Sequence, residues 1–306
     1  MKTISLSILA VLIIAAAFDF SFKTDKSSKV AIHKTSKQFN EYWFNGDAEI
    51  TSYQLEQARY GEIHKGNAVL IFVTEPFNVE KQVKSDNEGK DVESVLKLNF
   101  TKKFNTGIYP YSMMTSTFLP LSDLNQPLEK ITTTVQEWCG HVFTQINNKN
   151  NKWDVNSFSY FEKEGDQQLN LNQDILEDEL WSKIRTKPHL LPVGKQKMIP
   201  SLFYLRLMHQ PLKAYQAETL KKVNHDLVEY SISYPELNRK LIIHYQNQFP
   251  YQIESWQESY QSGWGEKAAM LTSKGTKIKT LKIPYWEKHS TTDTVLRDSL
   301  GLGQND

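Results

Sequence analysis

The chain contains one cysteine, Cys139, among its 306 residues. An internal disulfide is therefore impossible, and the small disulfide-stapled scaffolds of secreted proteins are excluded. Neither sign of charge is in excess, because 36 Lys and Arg residues stand against 35 Asp and Glu residues, for a net charge of +1. Such a balanced surface carries no strong field for nucleic acid, so we predict that nucleic acid is not a partner.

Motifs that would name a reaction are also missing. The sequence has no serine nucleophile elbow, no Walker loop, no dinucleotide-binding glycine fingerprint and no paired zinc-knuckle cysteines. We therefore predict no cofactor, and these signatures supply no catalytic residue. Internal repeats of fixed period, which would indicate a solenoid or a propeller, are absent as well.

The chain has a single long hydrophobic run, at residues 4–18, and it ends in three consecutive alanines. This run suits the core of a signal peptide and is short for a membrane-spanning helix, which needs ~20 residues. Five lysines follow it between residues 23 and 37, and positive charge on that flank opposes translocation. We expect residues 1–17 to be a cleaved signal peptide or, alternatively, an uncleaved N-terminal anchor. The protein is then exported, either as a periplasmic protein or anchored to the inner membrane.

The rest of the chain is dominated by patterns typical of strands. Aromatic residues make up 12% of the chain, and short alternating or β-branched runs are broken by Gly, Pro, Asn and Asp. The predicted strands cover residues 48–60, 68–74, 95–100, 112–118, 130–139, 141–147, 153–161, 202–209, 212–219, 227–234, 239–248, 251–260, 268–273 and 276–283.

One segment changes period and predicts an amphipathic helix near residues 173–185. Its apolar residues recur at spacings of three and four, and they are Ile175, Leu176, Leu180, Trp181 and Ile184. Asn172 is a plausible N-cap, and the helix must end before Pro188. The acidic residues 177–179 are interpreted as its solvent-facing side.

Many sequential strands with one helix favour a mainly β fold, an antiparallel meander that forms a curved half-barrel or barrel. We assign residues 18–44 to a linker, residues 45–286 to the β-rich domain and residues 287–306 to a flexible tail. A subdomain break near residues 188–200, which contain several prolines, is the alternative to a single continuous sheet. We favour the single sheet.

Three residues could carry metal or thiol chemistry. On a strand, Glu137, Cys139 and His141 would share one face, and a carboxylate, a thiol and an imidazole could ligate a transition metal or activate a thiolate. Side chains two residues apart on a flat strand are ~6.5–7 Å apart, however, which is too far for all three to reach one ion. The alternative is a half-polar strand face with a small cysteine and a hydrogen-bonded histidine.

Flexible and aromatic side chains supply candidates for an apolar ligand site. Methionines and aromatic rings on the inside of a curved sheet would suit an acyl chain, and the candidates are Tyr109, Tyr111, Met113, Met114, Phe118 and Trp256. The alternative is that these residues only fill the core. Glu254 and Glu258 flank Trp256, but about 13 Å along a strand exceeds the ~5–9.5 Å that paired carboxylates need in glycoside hydrolysis.

Three stretches, residues 41–53, 104–114 and 137–141, together resemble an uncharacterised family of exported Bacteroidetes-type proteins, over most of the chain after residue 18. Members of that family often carry the label "septum formation inhibitor Maf". Genuine Maf proteins are cytoplasmic nucleotide pyrophosphatases with an α/β fold and a Ser-x-Ser-Pro-Arg-Arg signature, which this sequence lacks. The resemblance therefore implies export and no catalytic residue. Residues 249–260 are similar to a strand of periplasmic carrier proteins of the lipoprotein-carrier type, which implies a ligand-holding half-barrel.

These observations predict a non-catalytic cell-envelope protein that binds an apolar or envelope-derived ligand, such as a lipid, or an envelope protein partner. The alternative is a hydrolase or metal-dependent enzyme that uses Glu137, Cys139 and His141. A third hypothesis is a purely structural component of the envelope, for which a completely filled interior would be the sign.

Overall fold

A computed structural model describes residues 36–303 of the chain. The strands are β1 (Ala48–Arg59), β2 (Glu62–Asn78), β3 (Val83–Lys84), β4 (Val92–Thr106), β5 (Tyr109–Pro120), β6 (Lys130–Glu137), β7 (Gly140–Lys149), β8 (Lys152–Ser159), β9 (Gln167–Asn172), β10 (Ile175–Leu176), β11 (Gly194–Ile199), β12 (Tyr215–Asn224), β13 (Leu227–Tyr234), β14 (Arg239–Gln246), β15 (Ile253–Ser262) and β16 (Ala269–Ile283). The α-helices are α1 (Lys37–Trp43), α2 (Leu180–Thr186), α3 (Leu202–Leu207) and α4 (Val295–Ser299).

All 16 strands belong to one sheet that is not closed. Its order is β10-β11-β12-β13-β14-β15-β16-β1-β2-β4-β5-β6-β7-β8-β9, with β3 added to β2, and every pair is antiparallel except β10 with β11. The prediction of a mainly β, antiparallel meander is confirmed. The single continuous sheet is also confirmed, because residues 194–199 of the proposed subdomain break form β11 within it.

The sheet curls so that its two end strands approach each other. β9 ends at Asn172 and β10 begins at Ile175, although they stand at opposite ends of the sheet order. Helices α2 and α3 follow β10 and pack on the concave face. The ring of Phe100 in β4 lies 5.0 Å from that of Trp181 in α2 and 5.6 Å from that of Phe203 in α3. The interior of the curled sheet is therefore filled by the helical segment between β10 and β12.

The predicted helix near residues 173–185 is present but shorter and later than expected. Residues 175–176 form β10, a 3-10 turn covers Glu177–Glu179, and α2 occupies Leu180–Thr186. Asn172 is not its N-cap, because it lies at the end of β9. The acidic residues of the 3-10 turn do not face solvent, as predicted, but are buried. They are buried because this segment lies inside the curled sheet, where both of its faces meet protein.

The strand predicted at residues 202–209 is wrong, because residues 202–207 form α3. The sequence Leu-Phe-Tyr-Leu-Arg-Leu is apolar on nearly every side, and all six residues are buried. A short, continuous apolar run has no periodicity that distinguishes a buried strand from a buried helix.

The described parts of the predicted linker and of the predicted flexible tail each contain a helix and side chains that pack on the sheet. Residues 37–43 of the predicted linker form α1, whose Phe39 and Trp43 are buried. The predicted flexible tail contains α4, and beyond it Leu300 and Leu302 pack with Ile50 and Val69 on the convex face of the sheet. The predicted signal peptide or anchor at residues 1–17 lies outside the described residues. Within residues 36–303, no helix has the length and apolar character needed to cross a membrane.

Candidate functional site

The residues predicted to share a strand face do not do so. β6 ends at Glu137 and β7 begins at Gly140, so Trp138 and Cys139 form the turn of a hairpin. Glu137 is buried and its carboxylate accepts a hydrogen bond from the backbone N–H of Cys139 at 2.6 Å, whereas His141 is exposed on β7. The prediction of one common face is wrong because the hairpin turn reverses the chain between Glu137 and His141.

The surroundings of Cys139 do not favour a reactive thiol. Its hydrogen bond with Glu137 and the negative charge of that carboxylate raise the pKa of the thiol, so the nucleophilic thiolate is disfavoured. Among residues 36–303, no group of three His, Cys, Asp or Glu side chains is placed to hold a metal ion. The structure thus gives no support to an enzyme built on Glu137, Cys139 and His141.

The predicted ligand-binding side chains are not brought together in a cavity. Tyr111, Met113 and Trp256 are buried in the core, and the Trp256 ring packs against Phe100 at 5.4 Å and Trp181 at 5.5 Å. Met114 is exposed, and Phe118 packs on Phe77 at 5.3 Å. These residues are dispersed because β5 alternates its side chains between the two faces of the sheet. Tyr109 is the first residue of β5 and follows the β4–β5 turn.

Instead, a cleft of about 310 Å³ opens between the sheet and the end of α3. One wall comes from β7, β8, β9 and the loop at residues 160–166, and the other from α3 and the turn that follows it. The apolar lining consists of Val142, Leu169, Leu202, Leu205, Pro211 and Leu212. The polar and charged lining includes Thr144, Ser157, Lys163, Glu164, Gln167, Arg206, His209 and Gln210. The volume is at the small end of the ~300–1,000 Å³ range of ligand pockets.

A histidine and a carboxylate meet at one end of the cleft. His209 Nδ1 lies 2.5 Å from Glu164 Oε1, and the Ser159 hydroxyl donates to the other carboxylate oxygen at 2.7 Å. The Phe161 ring packs edge-on against the His209 ring, with 5.5 Å between centroids. The imidazole is therefore held from two sides, with its plane and its Nδ1 contact defined by the loop.

Arg206 lies beneath this pair. Its guanidinium stacks over Phe161, 4.0 Å from the ring centroid, and its NH2 nitrogen lies 3.5 Å from Glu137 Oε1. The side chain is 5% exposed, and its Nε has no hydrogen-bond partner among the described residues. A buried donor without an acceptor costs roughly 1–3 kcal/mol, and the Arg206 Nε is one of eight buried side-chain polar atoms without a partner among the described residues.

The backbone of His209 is strained. The N–H of Gln210 donates to the Leu205 carbonyl at 2.9 Å and that of His209 to the Arg206 carbonyl at 3.4 Å, which is the Schellman ending of α3. This motif places His209 at φ +50°, in the left-handed region that normally selects glycine or asparagine. Strain of this kind accumulates at functional sites, where side-chain contacts hold the residue in place.

The charges at this end of the cleft nearly cancel. Burial raises the pKa of Glu164, but the hydrogen bonds from His209 and Ser159 and the charge of Arg206 outweigh it, so the pKa is lowered. Burial also lowers the pKa of Arg206. Two carboxylates, Glu137 and Glu164, lie within 4.0 Å of the Arg206 guanidinium, so this end of the cleft has little net positive charge.

A network of buried charges positions the helical segment that carries Arg206. Asp178, just before α2, accepts the first backbone N–H of α3, from Leu202, at 2.9 Å. Its neighbour Glu177 accepts two hydrogen bonds from Arg239 of β14, each 2.6 Å long. Arg239 also donates to Glu258 of β15 at 2.8 Å. These contacts fix α3, and hence Arg206, relative to the sheet.

This network is structural and not a ligand site. The space beside Arg239, Glu258 and Lys102 is about 10 Å³, which can hold at most one water molecule. Glu258 is one of the two carboxylates that flank Trp256 in sequence, and the other, Glu254, pairs with Lys277 at 2.6 Å. The two carboxylates therefore have separate cationic partners.

Neither Glu164 nor His209 was among the predicted site residues. Glu164 lies in a polar loop between two strands, and His209 follows an apolar run that we interpreted as a strand. A helix ending before Pro211 would have placed His209 at the helix terminus. Nothing in the sequence indicates that two residues 45 positions apart meet.

Comparison of the chain with protein-family models, with curated proteins and with solved structures finds no match. The resemblance to exported Bacteroidetes-type proteins therefore stays a prediction.

Proposed function

We propose that this protein is a non-catalytic binding protein of the cell envelope, exported to the periplasm or held at the inner membrane. Its ligand is a small lipid-like molecule, and it binds in the cleft between α3 and strands β7 to β9. The observation that carries this proposal is the composition of the cleft, which joins an apolar surface to one polar end formed by Arg206, His209 and Glu164.

The polar end favours an uncharged head group that accepts hydrogen bonds. Glu137 and Glu164 already balance Arg206, so an anionic ligand would gain little attraction and would approach two carboxylates. An ester or amide carbonyl, in contrast, can accept a hydrogen bond from the polar lining without bringing a negative charge close to these carboxylates. The six apolar lining residues would cover a short acyl chain or the first part of a longer one.

Monodecanoylglycerol, a neutral ester with a short chain, is the probe for this proposal. We expect saturable 1:1 binding by isothermal titration calorimetry, and weaker binding of decanoate, which has a charged head. Leu212→Asp places a charge on the half-buried apolar lining and should weaken binding at least tenfold. The matched control is Leu220→Asp, at a position 48% exposed on β12 that does not line the cleft. Equal affinities of the two variants, or no binding to the native protein, would refute the proposal.

A second candidate function rests on the contact between His209 and Glu164. A histidine whose Nδ1 is held by a carboxylate can act as a general base through Nε2. Here Nε2 lies 3.4 Å from Arg206 Nη1, so the cleft could activate water against an ester only once that contact is released. The same probe separates the two candidates, because a hydrolase would release decanoate and glycerol during the titration. Release that disappears in His209→Gly would establish hydrolysis, and an intact ester would leave binding as the function.

A further inference from the structure

The most exposed large apolar and aromatic side chains lie at one end of the strands, in the connections between them. Among residues 36–303 the four highest exposures of this kind belong to Ile108 (85%), Tyr160 (77%), Trp264 (72%) and Trp138 (67%). Each lies in a connection between consecutive antiparallel strands, namely β4–β5, β8–β9, β15–β16 and β6–β7. In an antiparallel meander, every second connection lies at the same end of the strands. All four side chains therefore lie at one end of the sheet.

Trp264, Trp138 and Tyr160 belong to one row of aromatic side chains, and we call this row, together with Ile108, the rim. Trp264 packs edge-on against Tyr60 at 5.5 Å, and the Tyr109 hydroxyl donates to that of Tyr60 at 2.9 Å. Tyr109 in turn stacks on Trp138 at 6.3 Å. Tyr160 continues the row, because its ring packs on Gly140 so closely that a Cβ there would lie 2.9 Å from it.

The rim rests on a rigid support. The Tyr60 hydroxyl lies 2.6 Å from that of Tyr111, and Arg59 stacks its guanidinium 4.2 Å from the centre of the Tyr60 ring. Arg59 also donates to the Leu207 carbonyl at the end of α3. Exposed rings that are held in place by buried partners lose little conformational entropy on binding another surface.

The rim has no excess of positive charge that would attract an anionic surface. The connections that form it, residues 60–61, 107–108, 138–139, 160–166 and 263–268, contain two lysines and four carboxylates. These are Lys163, Lys267, Glu162, Glu164, Asp166 and Glu266. An anionic partner is thus not favoured, whereas exposed Trp and Tyr beside an aliphatic tip are typical of side chains at the interface of a bilayer.

We propose that the rim docks the protein on a lipid bilayer, with Ile108, Trp138 and Trp264 entering the interfacial layer. The rim adjoins the cleft, because Tyr160 contacts Phe161, which packs on His209, so a docked protein would present the cleft beside the membrane. Docking nevertheless does not depend on the proposed ligand.

The connection to the N-terminal residues permits this orientation. Residue 36 precedes α1, whose Phe39 and Tyr42 pack on Phe249 in the β14–β15 connection, at the end of the sheet opposite the rim. The 17 residues from 19 to 35 can span at most about 55–60 Å, which exceeds the ~40 Å length of a 12-residue strand such as β1. A chain held in a membrane by residues 4–18 can therefore still reach the same bilayer with its rim.

The test uses the intact chain and its only cysteine. Cys139 is exposed in the rim, so it can be labelled with the environment-sensitive dye NBD and mixed with phosphatidylcholine vesicles. We expect a blue shift of NBD emission that persists in 0.5 M NaCl, since docking is not electrostatic, and quenching by doxyl-labelled lipid.

Two double variants provide the comparison. Ile108→Ser with Trp264→Ser removes exposed apolar tips and should abolish the NBD shift, even if the N-terminal residues still carry the protein onto vesicles. Trp286→Ser with Val295→Ser, at positions 47% and 61% exposed beyond the other end of β16, should leave the shift unchanged. Vesicles that carry the protein without an NBD shift would overturn the proposal. A shift produced by soluble chitohexaose and not by vesicles would also overturn it, in favour of a glycan surface.

Discussion

Glu177 and Arg239 form a bidentate ion pair across 62 residues of sequence, and each side chain is 1% exposed. A second pair of the same kind joins Arg185 to Glu49 of β1, at the other end of α2. Helix α2 is thus attached to β14 through Glu177, in the 3-10 turn that lies just before it, and to β1 through Arg185 in its last turn. Buried pairs of this kind add little net stability over apolar residues but strongly penalise other arrangements.

Breaking the first pair should be strongly destabilising. Arg239→Leu leaves Glu177 and Glu258 buried without their common cation, and we expect a loss of ~3–5 kcal/mol in the free energy of unfolding, measured in urea. Replacing both Glu177 and Arg239 with leucine should recover part of that loss. Lys149→Ala, which breaks an exposed pair with Asp154, is the control and should cost less than ~1 kcal/mol. A loss below 1 kcal/mol in Arg239→Leu would contradict this account of the network.

Asp178 should make stability depend on pH between about 4 and 6. Burial, with the adjacent charge of Glu177, raises the pKa of Asp178 from 3.8 to about 6. The folded protein therefore holds a proton that the unfolded chain releases, so this contribution is present below pH 3.8 and is lost as pH rises through 6. Two pKa units correspond to at most about 3 kcal/mol.

The isosteric variant Asp178→Asn isolates this contribution, since the amide oxygen can still accept the N–H of Leu202. Relative to the variant, the wild-type protein should lose unfolding free energy as pH rises from 4 to 6. Glu49 and Glu258 act in the opposite sense, because their ion pairs lower their pKa values, but they contribute equally to both proteins. Parallel pH profiles of the two proteins would show that Asp178 is not protonated in the fold.

His209 should tolerate glycine far better than a β-branched residue. Glycine removes the strain of a positive φ, ~1–2 kcal/mol, while losing the hydrogen bond to Glu164, which is worth ~1 kcal/mol. We expect the unfolding free energy of His209→Gly to stay within ~1 kcal/mol of wild type. His209→Val keeps the strain, loses the hydrogen bond and should cost at least ~2 kcal/mol. Similar stabilities of the two variants, measured by urea unfolding, would mean that the backbone at this position relaxes.

Gly275 should not accept even one methyl group. A Cβ at this position in β16 would lie 2.2 Å from the Trp256 ring, which is packed on three sides by other aromatic residues. We expect Gly275→Ala to destabilise by about 1–3 kcal/mol or more, since overpacking forces the ring to shift. In a Trp256→Leu background, Gly275→Ala should cost no further stability. Thermal unfolding of the wild type, the two single variants and the double variant forms a double-mutant cycle. Additive effects would contradict a direct clash.

The positions of strands could be predicted from the sequence where one face of the strand is buried and the other is exposed to solvent. In β14 the burial alternates regularly from Arg239 to Gln246, and this strand was predicted within two residues of its bounds. Alternation failed for α3, where Leu202 to Leu207 are buried on every side. It also failed for Glu177, whose acidity indicated solvent but whose partner, Arg239, lies in a distant strand.

The cleft was less predictable than the fold. The direct contact of Glu164 with His209 depends on the length of the 160–166 loop and on the Schellman ending of α3. Neither feature has a strong local signature, because the ending has histidine where glycine is usual. The rim was missed for a related reason, since the strand predicted over residues 130–139 includes Trp138, which lies in a turn.

The position of β1 between β2 and β16 has a consequence for how the chain is made. During synthesis, β1 to β9 can form a meander by pairing with neighbours in sequence, while one edge of β1 has no partner until β16 begins, some 210 residues later. β1 is long, and 10 of its 12 residues become buried. An unpaired strand edge is a template for aggregation, so the half-made chain carries this hazard throughout that interval.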